Sequence, residues 1–353
     1  MTPHKRNLDG AWGHLLAEAL GVPISEDGSP TPDPSPEADP SPLCHPEASP
    51  LKRERQHLST APALSRRDLL RHASVLAAAL LLPSWRRQDP DRDRLTAWAR
   101  ALRVVADPRS LGRRAAHVGE LAAGTPYQPF TLEAYIEAGG DPSGLEPLAL
   151  SLTRFDCVTL VESCLAIARL AAASGEPTWD LFGREVERMR YRGGIRRGYG
   201  SRLHYFSEWI GDGAGRGLLR DLGAELGGER DERPLRFMTA HPASYPALAY
   251  PSVLREVAAM ERALDGRPRF VVPTARIAEV GDRIETGDVL AFATEIPGLD
   301  VSHAAFAYRD RNSVLRVLHA PLSGGVVEVT RLTLPEYVAA IRRATGILVA
   351  RPV

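Results

Sequence analysis

The chain has 353 residues with 44 basic and 44 acidic side chains, a formal net charge of +0. That balance argues against general electrostatic binding to nucleic acid or to an anionic membrane. Charged residues at 25% and hydrophobic ones at 44% are ordinary for a soluble folded protein, and three cysteines exclude a disulfide-dense scaffold or a four-cysteine zinc cluster.

Residues 1–60 read as a disordered tail. Prolines recur every few residues from Pro23 to Pro50 among Ser, Asp and Glu. So few large apolar side chains cannot offset the entropy of ordering. Residues 61–88 are signal-like. Arg66-Arg67 stands just ahead of an apolar run, Ala73 to Leu82, which has the length of a signal core but is too short to span a bilayer as a helix. The pair resembles the twin-arginine export signal, which predicts an exported or periplasmic protein. The run lies far from Met1, and a start near residue 60 accounts for both the tail and the late signal. No other stretch is apolar enough to cross a membrane.

The folded region is expected over 91–353. Leu95, Trp98, Leu102 and Val105 set a helical period that predicts helix over 91–123, broken at Gly124-Thr125-Pro126-Tyr127. Residues 151–174 give the clearest helix, with Leu160, Val161, Cys164, Leu165 and Ala168 on one stripe and Gly175 and Pro177 closing it. Shorter helices are expected at 178–190, within 203–222 and at 251–264. From 268 the pattern changes to short β-type runs at 268–273, 287–294, 301–308, 313–319 and 325–330. Helices first and a meander later predict an α+β domain, with helices packed on an antiparallel sheet. There is no internal repeat and no glycine-rich phosphate loop.

Three sets of residues can carry chemistry. Asp156 is a good N-cap, which puts Cys157 at the first helical position. There the free backbone N–H groups and the helix dipole favour thiolate and can hold an oxyanion, so a depressed thiol pKa is expected. Cys164, seven residues on and inside the apolar stripe, reads as packing. Next, His303 and His319 stand eight residues either side of Arg311. A symmetric hairpin centred there sets them directly opposite on one face, so that one imidazole can take a thiol proton while the other orients it. A zinc site from Cys157, His303 and His319 is the chemical alternative, without a recognisable ligand pair to support it. Finally, Ser201, Arg202, His204, Tyr205 and Trp209 crowd aromatic and polar groups into one loop, as a sugar or peptide pocket requires. A buried aromatic anchor is the competing reading.

Several motifs together resemble a known family. These are Gly124-Thr125-Pro126-Tyr127, Phe155-Asp156-Cys157-Val158-Thr159-Leu160-Val161-Glu162, Ser201 to Ile210, Gly287 to Phe292, Gly298-Leu299-Asp300-Val301-Ser302-His303 and Leu318-His319-Ala320. They resemble the bacterial N-acetylmuramoyl-L-alanine amidase-like family within the NlpC-type superfamily of cysteine peptidases, over roughly 115–352. The resemblance implies a papain-like α+β fold in which 193–265 is an inserted segment that builds a pocket wall. It implies Cys157 as nucleophile, His303 as base and His319 as the orienting third group, with no cofactor. Tyr127 matches the tyrosine that borders the catalytic centre, and Asp300 joins the loop residues as an expected substrate contact. The implied partner is peptidoglycan or a muropeptide, cleaved at the muramoyl–alanine amide. Cleavage within the stem peptide, or a silent wall-binding module, are the rivals.

Overall fold

The computed structural model describes residues 89–105, 110–321 and 325–353. The expected tail and signal segment both lie outside the described residues. Where one long helix was expected over 91–123, there are two, α1 (Pro90–Val105) and α2 (Leu111–Leu121), with Pro108 in the interval between them. Ser110 caps α2 through its side chain, which accepts the Arg113 N–H at 3.2 Å. A short α3 (Ala134–Glu137) precedes α4 (Cys157–Ala172). α4 is apolar almost all round, and it is accordingly enclosed by α1, α2, α5 (Trp179–Arg190) and the sheet. Further on come α6 (Phe206–Gly215), α7 (Phe237–Ala240), α8 (Pro251–Ala263), α9 (Ile277–Val280) and α10 (Leu334–Ala340).

The strands are β1 (Leu219–Asp221), β2 (Glu229–Asp231), β3 (Arg269–Pro273), β4 (Val289–Thr294), β5 (Val301–Arg309), β6 (Leu315–His319), β7 (Glu328–Val329) and β8 (Ala344–Pro352). All pairings are antiparallel, in the order β2-β3-β8-β4-β5-β6-β7, with β1 also on β8. The protein is thus α+β, with helices on an antiparallel sheet.

Strand alternation sorts the core into two layers. Val289, Ala291, Ala304, Phe306, Leu318, Leu348 and Ala350 join the core of α1, α2, α4 and α5. Leu290, Phe292, Ala305, Ala307, Val317, Ile347 and Val349 face the other way, onto α9 and α10. The segment 193–265 carries a third cluster, around Tyr199, Tyr205, Phe237, Leu248 and Val257. It also supplies β1 and β2, which the sequence pattern did not announce. Where α2 begins, its backbone lies against the turn into β4. Gly287 has φ +90°, and a Cβ there would come within 1.9 Å of the Gly112 carbonyl oxygen, so only glycine fits.

Candidate active site

The capped start of α4 fixes the cysteine. Asp156 Oδ1 accepts the Thr159 N–H at 2.7 Å, and Thr159 Oγ1 accepts the Asp156 N–H at 2.9 Å. This reciprocal box holds Cys157 in the first turn. Beside it, the Phe155 N–H donates to Pro126 at 3.1 Å and the Gln128 N–H to Phe155 at 2.8 Å. Those two bonds carry Tyr127 alongside the nucleophile position. Burial, reinforced by the neighbouring acidic groups Cys157 and Asp156, pushes the Tyr127 hydroxyl far up, so it remains a proton donor.

The hairpin differs from the symmetric one expected. β5 and β6 pair Tyr308 with Arg316 and Arg309 with Leu315, which centres the turn on Asn312 rather than Arg311. The Asp310 N–H bonds Val314 O at 3.0 Å, and Ser313 takes φ +62°, closing a three-residue loop with a left-handed last residue. Carried one step beyond Phe306 and Leu318, this register sets His319 level with Ala305. The histidines are therefore diagonal neighbours on one face, still within reach of each other. His303 Nε2 lies 2.9 Å from His319 Nδ1.

The imidazoles point to the α9–α10 side, with His303 stacked on Phe292 at 5.5 Å, whereas Cys157 packs with the helical core. The strands part at this point. Ala307 donates its N–H to Asp288 on the β4 side, so by alternation the Ala304 N–H points toward β6. The β6 ladder ends at Leu318 opposite Phe306, and the Cys157 sulfur receives the Ala304 N–H instead. A register shift in β5 also falls here: Phe292 pairs with His303 but Ala293 with Val301, leaving Ser302 as a bulge that re-aims the strand beside His303.

Electrostatics correct one expectation. Burial, followed by the Asp156 charge, pushes the Cys157 thiol up to about 12, against the N–H groups of Ala304, Val158 and Cys157 that favour thiolate. Desolvation outweighs the helix terminus, so the resting group is a thiol, not a depressed-pKa thiolate. Burial likewise holds His303 well below the usual imidazole range, helped by His319, and lowers His319 to about 4. Thiol and both imidazoles are neutral at rest. Among the described residues no group of three or more His, Cys, Asp or Glu side chains is placed to hold a metal ion, and no helix is long and apolar enough to cross a membrane.

The loop residues are mostly held from within. Ser201 Oγ donates to Gly198 O at 2.7 Å and accepts the Arg197 N–H at 3.0 Å. Tyr205 donates to Glu261 at 2.7 Å, and Trp209 stacks on Phe206 at 4.8 Å. Ser201, Tyr205 and Trp209 are buried rather than open as the expected substrate contacts would be: Trp209 and Tyr205 lie in two of the hydrophobic clusters, and Ser201 is closed in by its own loop. His204 Nε2 sits 2.9 Å from Tyr199 O, and burial keeps the ring neutral. Arg202 pairs with Glu133 at 2.8 Å and Glu146 at 3.2 Å, over the Tyr199 ring. Asp300 accepts the Ser207 N–H at 2.7 Å and the Val301 N–H at 2.8 Å, tying the first turn of α6 to the strand that carries His303.

Sequence reasoning missed Tyr337, whose hydroxyl lies 3.3 Å from His319 Nδ1 and whose ring meets His319 edge-on at 5.2 Å. The signal was present: Thr333 and Glu336 form a capping box that starts α10 just before it. Phe292, the stacking floor of His303, was hidden in an apolar run.

Residues 117–347 match the family described as AmiA-like, N-acetylmuramoyl-L-alanine amidase-like. A crystal structure of an N-acetylmuramoyl-L-alanine amidase from Bacteroides uniformis is 30% identical, with a TM-score of 0.62, over 69% of this chain and 99% of that one. A putative xylanase from Bacteroides fragilis is 34% identical, with a TM-score of 0.60, over 66% of this chain and 98% of that one. A Legionella pneumophila protein of family DUF1460, at 18% identity and TM-score 0.54 over 75% of this chain and 95% of that one, shares the fold alone. No curated protein matches the chain. With Cys157, His303 and His319 all inside the matched stretch, the chain belongs to the AmiA-like, N-acetylmuramoyl-L-alanine amidase-like family.

Proposed function

We propose that this protein is a cysteine amidase of papain-like, NlpC type that hydrolyses the amide between N-acetylmuramic acid and L-alanine in peptidoglycan or its fragments. The observation that carries the reading is the Cys157 sulfur at a capped helix start, on the Ala304 N–H, one residue from a histidine pair joined at 2.9 Å.

His303 engages His319 through Nε2 and keeps Nδ1 without a partner, the nitrogen free to serve as base. As Cys157 attacks the lactyl carbonyl carbon, its proton passes to His303 Nδ1 and a tetrahedral oxyanion forms. The protonated Tyr127 hydroxyl and the helix-start N–H groups supply donors for that oxyanion. Collapse expels the alanine nitrogen, which takes the proton from His303, and leaves a thioester on Cys157. Water then gives a proton to His303 and attacks the thioester, releasing the muramic acid carboxyl and restoring the thiol. Because all three groups rest neutral, the charge separation arises during attack, beside two buried imidazoles where fixed dipoles act strongly.

Incubation of a defined disaccharide-peptide with the full chain, read by mass spectrometry, tests this. The expected products are the free disaccharide and the intact peptide, with none formed by Cys157→Ala. Peptide–peptide cleavage overturns the bond assignment, and turnover by Cys157→Ala overturns the cysteine mechanism.

We further propose export through the Arg66-Arg67 signal, on its sequence pattern alone. A fused reporter is expected to stay in the cytoplasm when both arginines become Lys. Unchanged export means that the pair is incidental.

A further inference from the structure

The histidine pair carries a proton requirement that reaches a third strand. For His303 Nδ1 to accept a proton, the ring hydrogen of neutral His303 must sit on Nε2, where it donates to His319 Nδ1. That bond occupies the single lone pair of His319 Nδ1, so the hydrogen of His319 must sit on its own Nε2. This second nitrogen is buried and has no hydrogen-bond partner. A buried N–H of this kind costs free energy unless an acceptor reaches it, and without one the tautomer that makes His303 a base is no longer favoured.

One carboxylate stands ready. Glu328 on β7 is the direct cross-strand partner of His319 on β6, so their side chains share a face. Its Oε1 lies 3.9 Å from His319 Nε2, beyond hydrogen-bond range at rest. The backbone around it is pinned: the Val327 N–H bonds Thr125 O at 2.8 Å, and the Thr330 N–H bonds Val317 O at 2.8 Å. The Glu328 side chain, by contrast, is 55% exposed and free to rotate inward. The other titratable groups on these elements are Tyr337 from α10, which meets His319, and Cys157 at the start of α4 with Tyr127 and Asp156 beside it. Asp156 is held by Thr159 in the helix cap, so among the described residues Glu328 is the carboxylate set across the strands from His319.

We propose that Glu328 is a positioning residue of the hydrolytic site, whose carboxylate closes onto the His319 Nε2–H and stabilises the positive charge that develops on the histidine pair during attack. This rests on the cysteine reading above. The relay runs from the thiol to His303, to His319 and out to an acceptor at the surface. Only the first of these protons moves; the other two bonds select the tautomer and tighten.

The test uses the purified full chain and a defined disaccharide-peptide substrate. Glu328→Gln keeps the shape and removes the charge. Its kcat is expected to fall about tenfold with KM within about twofold, the order of a charge-assisted contact to a partly exposed group. The carboxylate favours protonated imidazole, so its loss lowers the basicity of the pair. The acid limb of the kcat/KM profile is therefore expected to move to lower pH. Added salt, which screens an exposed charge, is expected to slow the wild type and leave Glu328→Gln unchanged. Glu328→Asp, which retains the charge, is expected to restore the acid limb. A wild-type rate and acid limb in Glu328→Gln overturn the proposal. Equal impairment of both variants with an unmoved limb also overturns it, because that pattern marks a purely structural role. If Glu328→Gln behaves as wild type while Cys157→Ala is inactive, only the Glu328 assignment fails. If Cys157→Ala turns over, the cysteine reading itself is lost.

Discussion

The sheet separates two unlike layers, and the candidate chemistry draws on both. On one side α1, α2, α4 and α5 bury a continuous apolar core, and the thiol at the capped start of α4 and the Tyr127 ring pack against it. On the other side the layer over α9 and α10 is thinner, and it holds both imidazoles, the Phe292 ring and Tyr337. A thiol and an imidazole on opposite faces of an intact sheet could not exchange a proton. Here the β5–β6 ladder stops at Phe306 and Leu318, and the sulfur on the helical side takes the N–H of Ala304, the residue after His303, that the ladder leaves. The lesson is that the site depends on where the ladder ends as much as on which residues the strands carry.

The sharpest way to break this division is to remove one group from the imidazole layer at a time. In the proposed mechanism His303 moves the proton, so His303→Ala is expected to lower kcat/KM by about 10²–10⁴-fold. In the same proposal His319 only orients, and an amide can still accept the Nε2–H of His303, so His319→Asn is expected to lose far less, about tenfold. Steady-state kinetics on both variants, with near-UV circular dichroism to confirm the fold, decides the matter. If His319→Asn is as inactive as His303→Ala and remains folded, the two roles are wrongly divided.

The two layers also differed in how plainly the sequence announced them. α4 was legible because its signals are local: Asp156 and Thr159 form the cap, the stripe from Leu160 to Ala168 marks the buried face, and Gly175 with Pro177 ends it. The strands β3 to β6 were legible for the same reason, as apolar runs bounded by turns. β8 was not, although it is central. Its partners β3, β4 and β1 are all distant in sequence, and no hairpin turn leads into it. β1 and β2 are three residues each and pair only with far strands, so their pattern carries no period. In the site, residue identity fixed the candidates, but three features were beyond it. The register depended on Ser313 adopting a left-handed backbone. The thiol pKa depended on burial overruling the helix terminus. Tyr337 reached His319 from α10, on the same face of the sheet but 18 residues on in sequence.

A smaller effect distinguishes the layers in stability rather than rate. His319 is buried neutral, with its pKa lowered from the usual 6.5 to about 4. Above about pH 6.5 neither the folded nor the unfolded form is protonated there, and the group is silent. As pH falls, the unfolded chain gains the proton first, so stability is lost between about pH 6.5 and 4. At 1.36 kcal/mol per pKa unit, the loss at pH 5 is about 2 kcal/mol. Asp156 and Glu162 on the α4 side act in the opposite direction: burial raises both carboxyls, so protonating them on acidification favours the folded form. A single pH–stability curve therefore mixes the two layers, and the informative quantity is a difference. Urea unfolding at pH 7.5 and pH 5 should show the wild type losing about 2 kcal/mol more than His319→Asn, which lacks the titrating ring and keeps the carboxyls. Equal losses in the two proteins would mean that His319 is not held neutral by burial, and that the acid sensitivity of the fold comes from elsewhere in the sheet.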